Sequence, residues 1–128
     1  MAIYLLDTSV IIDALNQKQG RWQFLASLVG GGDTLACSVV TLTEIYAGVR
    51  PNELALTEQF LDGLEHYPLD SHLARDAGLL KNEWAKQGRT LGVVDLIIAA
   101  TALAHNLALM TDNRKDFPMT KLVLYPLP

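Results

Sequence analysis

Apolar residues along the chain form two kinds of pattern: short continuous runs, and longer stretches in which they recur at helical spacing. The short runs are typical of strands buried on both faces, as in a parallel sheet covered by helices, and the longer stretches are typical of amphipathic helices. The short runs predict strands at residues 3–6, 35–40, 66–69, 107–110 and 121–125. The helical spacing predicts helices at residues 10–15, 21–29, 41–48, 53–64, 71–87 and 92–106.

The alternation of strand and helix predicts an α/β fold, a three-layer α/β/α sandwich around a mainly parallel five-stranded sheet. The third strand is expected near an edge of the sheet, because Pro68 has no amide proton to donate to a neighbouring strand. In open α/β sheets, ligands bind beyond the carboxyl ends of the strands. That edge of the sheet is therefore where functional side chains are expected to meet.

The composition points to a globular chain in a reducing compartment. Half of the 128 residues are apolar, and no apolar run approaches the roughly 18 residues that span a bilayer. The N-terminus has no basic segment followed by an apolar stretch and a cleavage site, so export is not expected. The single cysteine, Cys37, lies in an apolar run and is predicted to be a small buried strand residue. We therefore expect a cytoplasmic protein.

The formal net charge of -4 argues against a generally basic surface for nucleic acid. It does not exclude an enzyme that acts on nucleic acid, because a carboxylate-rich site makes a chain acidic while bound cations reverse the charge locally. Arg89, Arg114 and Lys115 are candidates to contact phosphates, with solvated surface charge as the alternative.

Acidic residues stand just after a predicted strand or in the first turn of a predicted helix, at Asp7, Glu44, Asp95 and the pair Asp112 and Asp116. In a parallel sheet with helical crossovers those junctions share one edge, so acids that are distant in sequence can meet there. Helix caps gather at the same edge, which leaves two interpretations open. The acids either form one site or serve their own helices separately.

The capping interpretation is specific for three of the acids. Asp7, Thr8 or Ser9 could cap the following helix, and Thr41 with Glu44 matches a capping box in which Glu44 reaches back to the Thr41 amide. Asp95 would gain about 0.3 to 1 kcal/mol from the helix dipole. However, Asp95 lies between apolar neighbours, and a buried acid is costly unless it is paired, hydrogen-bonded or bound to a cation. Capping therefore accounts least well for Asp95.

Carboxylates that meet in one place cannot all remain ionised without compensation. A hard divalent cation removes the conflict, since Mg²⁺ takes oxygen ligands, uses one or two carboxylates directly and keeps several waters. Such an ion supplies an activated water and stabilises charge on a phosphoryl oxygen. A site of this kind would therefore suit phosphodiester hydrolysis.

The acids and their neighbours resemble the PIN-domain ribonucleases, and in particular the VapC-type toxins of toxin–antitoxin pairs. The features that carry the resemblance are, in chain order, Asp7-Thr8-Ser9, Thr43-Glu44, Asp95 and Thr111-x-Asn113-x-x-Asp116-Phe117. The resemblance covers nearly the whole chain. It implies a single PIN-like nuclease domain over residues 1–128.

The resemblance implies a metal site. Asp7 and Asp95 would be the principal ligands of Mg²⁺ or Mn²⁺, and Glu44 and Asp116 would complete the catalytic set. Asp112 stands where many relatives have a basic or neutral residue. It adds a fifth acid and leaves open whether Asp112 or Asp116 is the fourth member. Residues expected to orient the carboxylates and their waters are Thr8, Ser9, Thr111 and Asn113.

The resemblance also implies an activity and partners. The activity is endonucleolytic hydrolysis of RNA, of the tRNA, rRNA or mRNA class, with a metal-activated water, leaving 5′-phosphate and 3′-hydroxyl ends. A cognate antitoxin is expected to insert a segment carrying Arg or Lys into the acidic groove. A homodimer is expected as well, with surface apolar residues such as Ile45 and Leu54 contributing to its interface.

Two other functions compete with this one. A receiver-type signalling module is also a small doubly wound domain with an acidic pocket. It needs an acidic pair after the first strand and a phosphoacceptor Asp after the third, whereas Asp7 has no acidic neighbour and the third strand runs into Pro68. The other alternative is a non-catalytic binding domain in which the acids are only helix caps.

Overall fold

The computed structural model describes all 128 residues. Strands and helices alternate as the sequence pattern predicts, with two α-helices between each strand and the next. The elements are β1 (Ile3–Leu6), α1 (Thr8–Leu15), α2 (Arg21–Gly30), β2 (Thr34–Ser38), α3 (Val39–Gly48), α4 (Leu54–Asp62), β3 (Glu65–Tyr67), α5 (Ser71–Lys86), α6 (Val93–His105) and β4 (Ala108–Met110). Two short 3₁₀ turns are Pro51–Glu53 and Arg114–Asp116.

The sheet is parallel throughout, with strand order β3-β2-β1-β4. In the central strand, Tyr4 pairs with Leu35 of β2 on one side and with Ala108 of β4 on the other. This confirms the predicted α/β fold with a parallel sheet. It also confirms that the third strand lies at an edge of the sheet.

Side chains of the strands alternate between two apolar cores, one on each face of the sheet. Leu5 and Leu109 point into a core formed with α5 and α6. Leu6 and Met110 point into a second core, formed mainly with α1, α2 and α4. Because adjacent residues of a strand face opposite sides, both faces must be covered, and the three-layer arrangement follows.

The predicted fifth strand is wrong, because the sheet has four strands. The segment at residues 121–125 makes only one parallel bridge, between Leu109 and Leu124. The Leu109 amide donates to the Val123 carbonyl and the Tyr125 amide donates to the Leu109 carbonyl, each at 2.8 Å. β4 is only three residues long and Pro126 has no amide proton, so the pairing has no room to extend.

The predicted capping box at Thr41 and Glu44 is also wrong. Helix α3 begins at Val39, and its N-cap is Ser38, whose side chain accepts a hydrogen bond from the Val40 amide at 3.2 Å. Thr41 is fully buried inside the helix. Glu44 is thus one turn further along than the sequence suggested, and its carboxylate is free to serve another group.

Other sequence expectations can be checked residue by residue. Asp70 caps α5, accepting from the Leu73 amide at 2.8 Å. Cys37 is buried, and burial raises the pKa of its thiol to about 12. Ile45 was expected at the surface but is only 6% exposed, whereas Leu54 is 39% exposed. None of the helices has the length and apolar content needed to cross a bilayer.

Candidate active site

Asp7 lies at the carboxyl end of β1, where the strand turns directly into α1. Its side chain is 4% exposed, and its Oδ1 atom accepts a hydrogen bond from the Thr8 amide at 2.8 Å. This bond makes Asp7 the N-cap of α1, so capping accounts for one of its two oxygens. The Asp7 amide donates to the Met110 carbonyl at 2.9 Å, which ties the acid to the end of β4.

The second carboxylate oxygen of Asp7 accepts from two hydroxyl groups. The Thr111 hydroxyl donates to Oδ2 at 2.7 Å in a buried contact, and the Ser9 hydroxyl donates to the same atom at 3.4 Å. Thr111 accepts in turn from the backbone amide of Asn113 at 2.9 Å. Groups that follow two neighbouring strands therefore fix the orientation of Asp7.

Glu44 reaches the same region from α3. The Thr8 hydroxyl donates to Glu44 Oε1 at 2.5 Å, across 36 positions of sequence. Thr8 also donates its amide to Asp7, so one residue bridges the two acids. Because Glu44 is exposed, its second oxygen remains open to water or to a ligand.

Asp95 lies half-buried in the first turn of α6. The N-cap of that helix is Gly92 and no side chain caps it, so capping does not account for Asp95. Burial and three neighbouring carboxylates raise the pKa of Asp95 from its ordinary value of 3.8 to about 6. The neighbours, in order of effect, are Asp7, Asp116 and Glu44. Four acids from four parts of the chain thus lie near one another at the carboxyl edge of the sheet.

The electrostatics of these four acids are unbalanced. Burial raises the pKa of Asp7, the Glu44 charge adds to this rise, and the hydrogen bonds to Asp7 oppose it. None of the four acids forms an ion pair with a lysine, arginine or histidine. The cluster therefore holds negative charge that the protein itself does not neutralise.

Asp112 and Asp116, between which the sequence left a choice, lie in different surroundings. Asp116 is in the 3₁₀ turn and lies close enough to Asp95 to raise its pKa. Asp112 instead forms an ion pair with Arg21, with 2.6 Å between Nη2 and Oδ1. No sequence pattern marked Arg21, because its partner is 91 residues away and neither residue belongs to a periodic motif.

The remaining candidates make fewer contacts with the acids. Asn113 contributes its backbone amide, and its side chain makes no hydrogen bond to a carboxylate. Arg89, a candidate phosphate ligand, donates from Nη2 to the Lys115 carbonyl at 2.5 Å and so supports the turn that carries Asp116. Arg114 and Lys115 are exposed beside that turn.

Replacing Thr111 with valine tests how strongly its hydroxyl supports the Asp7 carboxylate. The bond favours the ionised acid, so its loss should lower the free energy of unfolding by about 1 to 3 kcal/mol at neutral pH. The loss should shrink at acid pH, as Asp7, whose pKa burial raises above its ordinary value of 3.8, takes up its proton. Urea unfolding of both proteins at both pH values measures this.

Thr101 provides a matched control for that substitution. Its buried hydroxyl donates to the Ile97 carbonyl at 2.7 Å, away from any acid. Thr101→Val should therefore cost the same at both pH values. An equal pH dependence for the two variants would show that the Thr111 hydroxyl does not support the charge on Asp7.

The donor set fits a hard divalent cation. It consists of carboxylate oxygens, one of its acids is almost fully buried, and no basic side chain neutralises it. No three Asp, Glu, His or Cys side chains are arranged to contact one ion together. At most two of these side chains would therefore contact a bound ion directly, and Mg²⁺ is a cation that can be held by one or two carboxylates and several waters. The arrangement can hold a hydrated cation against a phosphate group.

Comparison with known proteins shows similarity over nearly the whole chain. The family model for the PIN domain matches residues 4–121. The chain is 34% identical over 115 residues to the ribonuclease VapC19 of Mycobacterium tuberculosis, covering 90% of this chain and 92% of the relative. It is 29% identical over 122 residues to the tRNA(fMet)-specific endonuclease VapC of Shigella flexneri, covering 91% of each.

Solved structures show the same extent of similarity. The crystal structure of VapBC2 from Rickettsia felis bound to a DNA fragment from their promoter has a TM-score of 0.83 and 28% identity, covering 96% of this chain and 97% of that one. A toxin–antitoxin complex from Klebsiella pneumoniae has a TM-score of 0.78 and 27% identity, covering 97% and 99%. The range matched by the family model, residues 4–121, includes all four acids.

Proposed function

Since this chain belongs to the PIN-domain family and is of the VapC ribonuclease type, we propose that it is a toxin that hydrolyses RNA phosphodiesters with the help of a divalent cation. The observation that carries the proposal is the convergence of Asp7, Glu44, Asp95 and Asp116 without a basic partner. Helix capping alone would not raise the pKa of one acid through the charges of three others. We also propose that residues 1–128 act as one domain.

We propose Asp7 and Asp95 as the direct ligands of Mg²⁺ or Mn²⁺, because Asp7 is buried and Asp95 is the acid whose pKa the charges of the other three raise. Glu44 and Asp116 would hold the ion through waters, and Asp112 would take no part because Arg21 occupies it. A cation bound there supplies an activated water and stabilises negative charge on the phosphoryl oxygens.

The protein's own groups hold that arrangement in place. Thr111 and Ser9 fix one oxygen of Asp7, and the Thr8 amide fixes the other. The Thr8 hydroxyl sets the position of Glu44 relative to Asp7. Such groups raise the precision of a site because they restrict the rotation of the carboxylates before the substrate arrives.

We propose structured RNA, with tRNA as the first class to assay, as the substrate. A relative that covers 91% of this chain is named a tRNA(fMet)-specific endonuclease. Arg114 and Lys115 are exposed beside Asp116 and offer positive charge to the RNA backbone. Because no basic side chain neutralises the four acids, a bound cation would reduce the repulsion between this edge and a polyanion.

We propose an antitoxin as the protein partner, as in the toxin–antitoxin complex to which the chain is similar. A cleft of about 360 Å³ lies beside Glu44, between α1, α3 and α4. Its lining combines the exposed apolar side chains Ile12 and Leu56 with Glu44 and Glu53. A segment with apolar side chains and a basic residue would match both features. A homodimer, expected from the family, remains a proposal.

The assay that tests the function incubates the purified chain with tRNA in the presence of Mg²⁺, Mn²⁺ or a chelator. Cleavage with either ion, none with the chelator, and products with 5′-phosphate ends support the proposal. Cleavage that persists in the chelator contradicts the requirement for a cation. Absence of cleavage together with uptake of phosphate from a small phosphodonor at one Asp would instead support the receiver-type alternative.

The metal-free protein is predicted to lose stability as the pH rises. The folded state holds the Asp95 proton with a pKa of about 6, against 3.8 ordinarily, so the free energy of unfolding falls between those values and is flat above them. The rise corresponds to at most about 3 kcal/mol, and the partial exposure of Asp95 reduces this to about 1 to 2 kcal/mol.

Urea unfolding at a series of pH values measures this effect, and the difference between the wild type and Asp95→Asn isolates the contribution of one acid. At pH values above about 6, where that loss is complete, saturating Mg²⁺ should restore the stability, because the cation neutralises the same charge. A wild type whose stability rises through this interval relative to the variant would contradict the assigned surroundings of Asp95.

A further inference from the structure

Arg21 is the largest side chain that the protein buries completely, with 1% of its surface exposed. It stands at the first position of α2. A guanidinium group removed from water is costly unless acceptors and a counter-charge surround it. The hydrogen-bond partners of Arg21 therefore indicate its structural contribution.

The Arg21 guanidinium joins three separate parts of the chain. Nη1 donates to the Pro128 carbonyl at 2.8 Å, and Nη2 donates to Gln19 Oε1 at 3.1 Å and to Asp112 Oδ1 at 2.6 Å. The Nε atom has no partner. Asp112 is the acidic side chain that compensates the buried cation.

Asp112 belongs to the segment that supports the candidate active site. Its neighbour on one side, Thr111, donates to Asp7, and its neighbour on the other, Asn113, donates its amide to Thr111. The Asp116 amide donates to the Asn113 carbonyl at 2.9 Å. Residues 112–115 are exposed, and the Arg21–Asp112 ion pair anchors one end of this segment while the hydrogen bond from Arg89 to the Lys115 carbonyl anchors the other.

We propose that Arg21 is a positioning residue, which acts through Asp112 to hold residues 111–116 so that Thr111 donates to Asp7 and Asp116 faces Asp95. The consequence for catalysis rests on the proposed function, whereas the hold on the segment does not. The pairing also gives Asp112, the fifth candidate acid of the site, a partner other than a cation, because its Oδ1 accepts from Arg21.

The test compares Arg21→Lys and Asp112→Asn with the wild type. Lysine keeps the charge but cannot reproduce the two-pronged contact of the guanidinium, and asparagine keeps an acceptor but loses the charge. Should Arg21→Lys fail to fold, Asp112→Asn carries the test, since its side chain is 34% exposed. Arg75→Lys is the matched control, because Arg75 forms an exposed ion pair with Asp76 on α5.

Three measurements separate positioning from a merely structural contribution. Hydrogen exchange at the Asn113 amide should accelerate by about 10-fold in both variants, while amides of α5 keep their rates. The affinity for Mn²⁺, measured without RNA, should fall by about 10-fold, as is typical when a residue that orients the metal ligands is replaced. The kcat for tRNA cleavage should fall by about 10-fold with KM nearly unchanged, and the double variant should be no worse than the poorer single one.

The inference is overturned if both variants are less stable than the wild type but match the Arg75→Lys control in the Asn113 exchange rate, the Mn²⁺ affinity and the kcat. It is also overturned if the losses in the double variant simply add. If the wild type neither binds Mn²⁺ nor cleaves RNA while exchange at Asn113 still accelerates in the variants, the proposed function fails and the positioning by Arg21 stands.

Discussion

Replacing Asp95 with asparagine is expected to abolish RNA cleavage and, at the same time, to raise the free energy of unfolding of the metal-free protein. Asparagine has the same shape but no charge. The wild-type carboxylate is disfavoured by burial and by three neighbouring acids, which raise its pKa to about 6. Removing the charge should therefore stabilise the folded chain by about 1 to 2 kcal/mol at pH 7, a value reduced for partial exposure.

The cleavage rate is expected to fall by about 10³-fold or more. Replacing a residue that only hydrogen-bonds to a metal ligand typically lowers activity 10- to 100-fold, and replacing a proposed direct ligand should lower it further. Cleavage rates with saturating Mn²⁺ and urea unfolding without metal measure the two effects. Asp76→Asn is the control, because Asp76 is a partly exposed acid on α5 and should change neither quantity greatly. Loss of activity accompanied by loss of stability would indicate that Asp95 has a structural purpose instead.

Substitutions of the two acids near the C-terminus are expected to have opposite effects on stability. Asp116→Asn should reduce cleavage by about 10²-fold and leave stability unchanged or higher, because it removes one of the clustered charges. Asp112→Asn should lower the free energy of unfolding by about 2 to 3 kcal/mol, because it leaves the buried Arg21 cation without a counter-charge. Partial exposure of Asp112 keeps this below the effect of a fully buried pair.

The same two assays distinguish these variants. If Asp112→Asn abolishes cleavage as completely as Asp95→Asn while stability holds, Asp112 is a member of the catalytic set and Arg21 is not its main partner. If Asp116→Asn is as active as the wild type, the fourth acid has been assigned wrongly.

The sequence predicted the framework well because its signals are local. The apolar run Ile3–Leu6 and the nearly continuous apolar helix at 93–105 can be buried only between other layers. The approximate meeting place of the acids also followed, because strands that run in parallel end at one edge. At Asp7 the two interpretations, helix cap and shared site, do not exclude each other. One carboxylate oxygen caps α1, and the other accepts from Thr111.

What the sequence did not predict depends on contacts between distant residues. Helix α3 begins earlier than predicted because Ser38, and not Thr41, is its N-cap. The predicted strand at residues 121–125 is reduced to a single bridge because β4, its pairing partner, has only three residues. The choice between Asp112 and Asp116 could not be made without Arg21, whose partner lies 91 residues away.

The central claim is that acids dispersed along the chain form one site for a divalent cation. Calorimetric titration of Mn²⁺ into the folded wild type and into the Asp7→Asn/Asp95→Asn double variant tests it most directly. The account predicts saturable binding to the wild type and no measurable binding to the variant, which should remain folded. Equal saturable binding by the two proteins would show that Mn²⁺ is held at a site that does not include Asp7 and Asp95, and this would contradict the account.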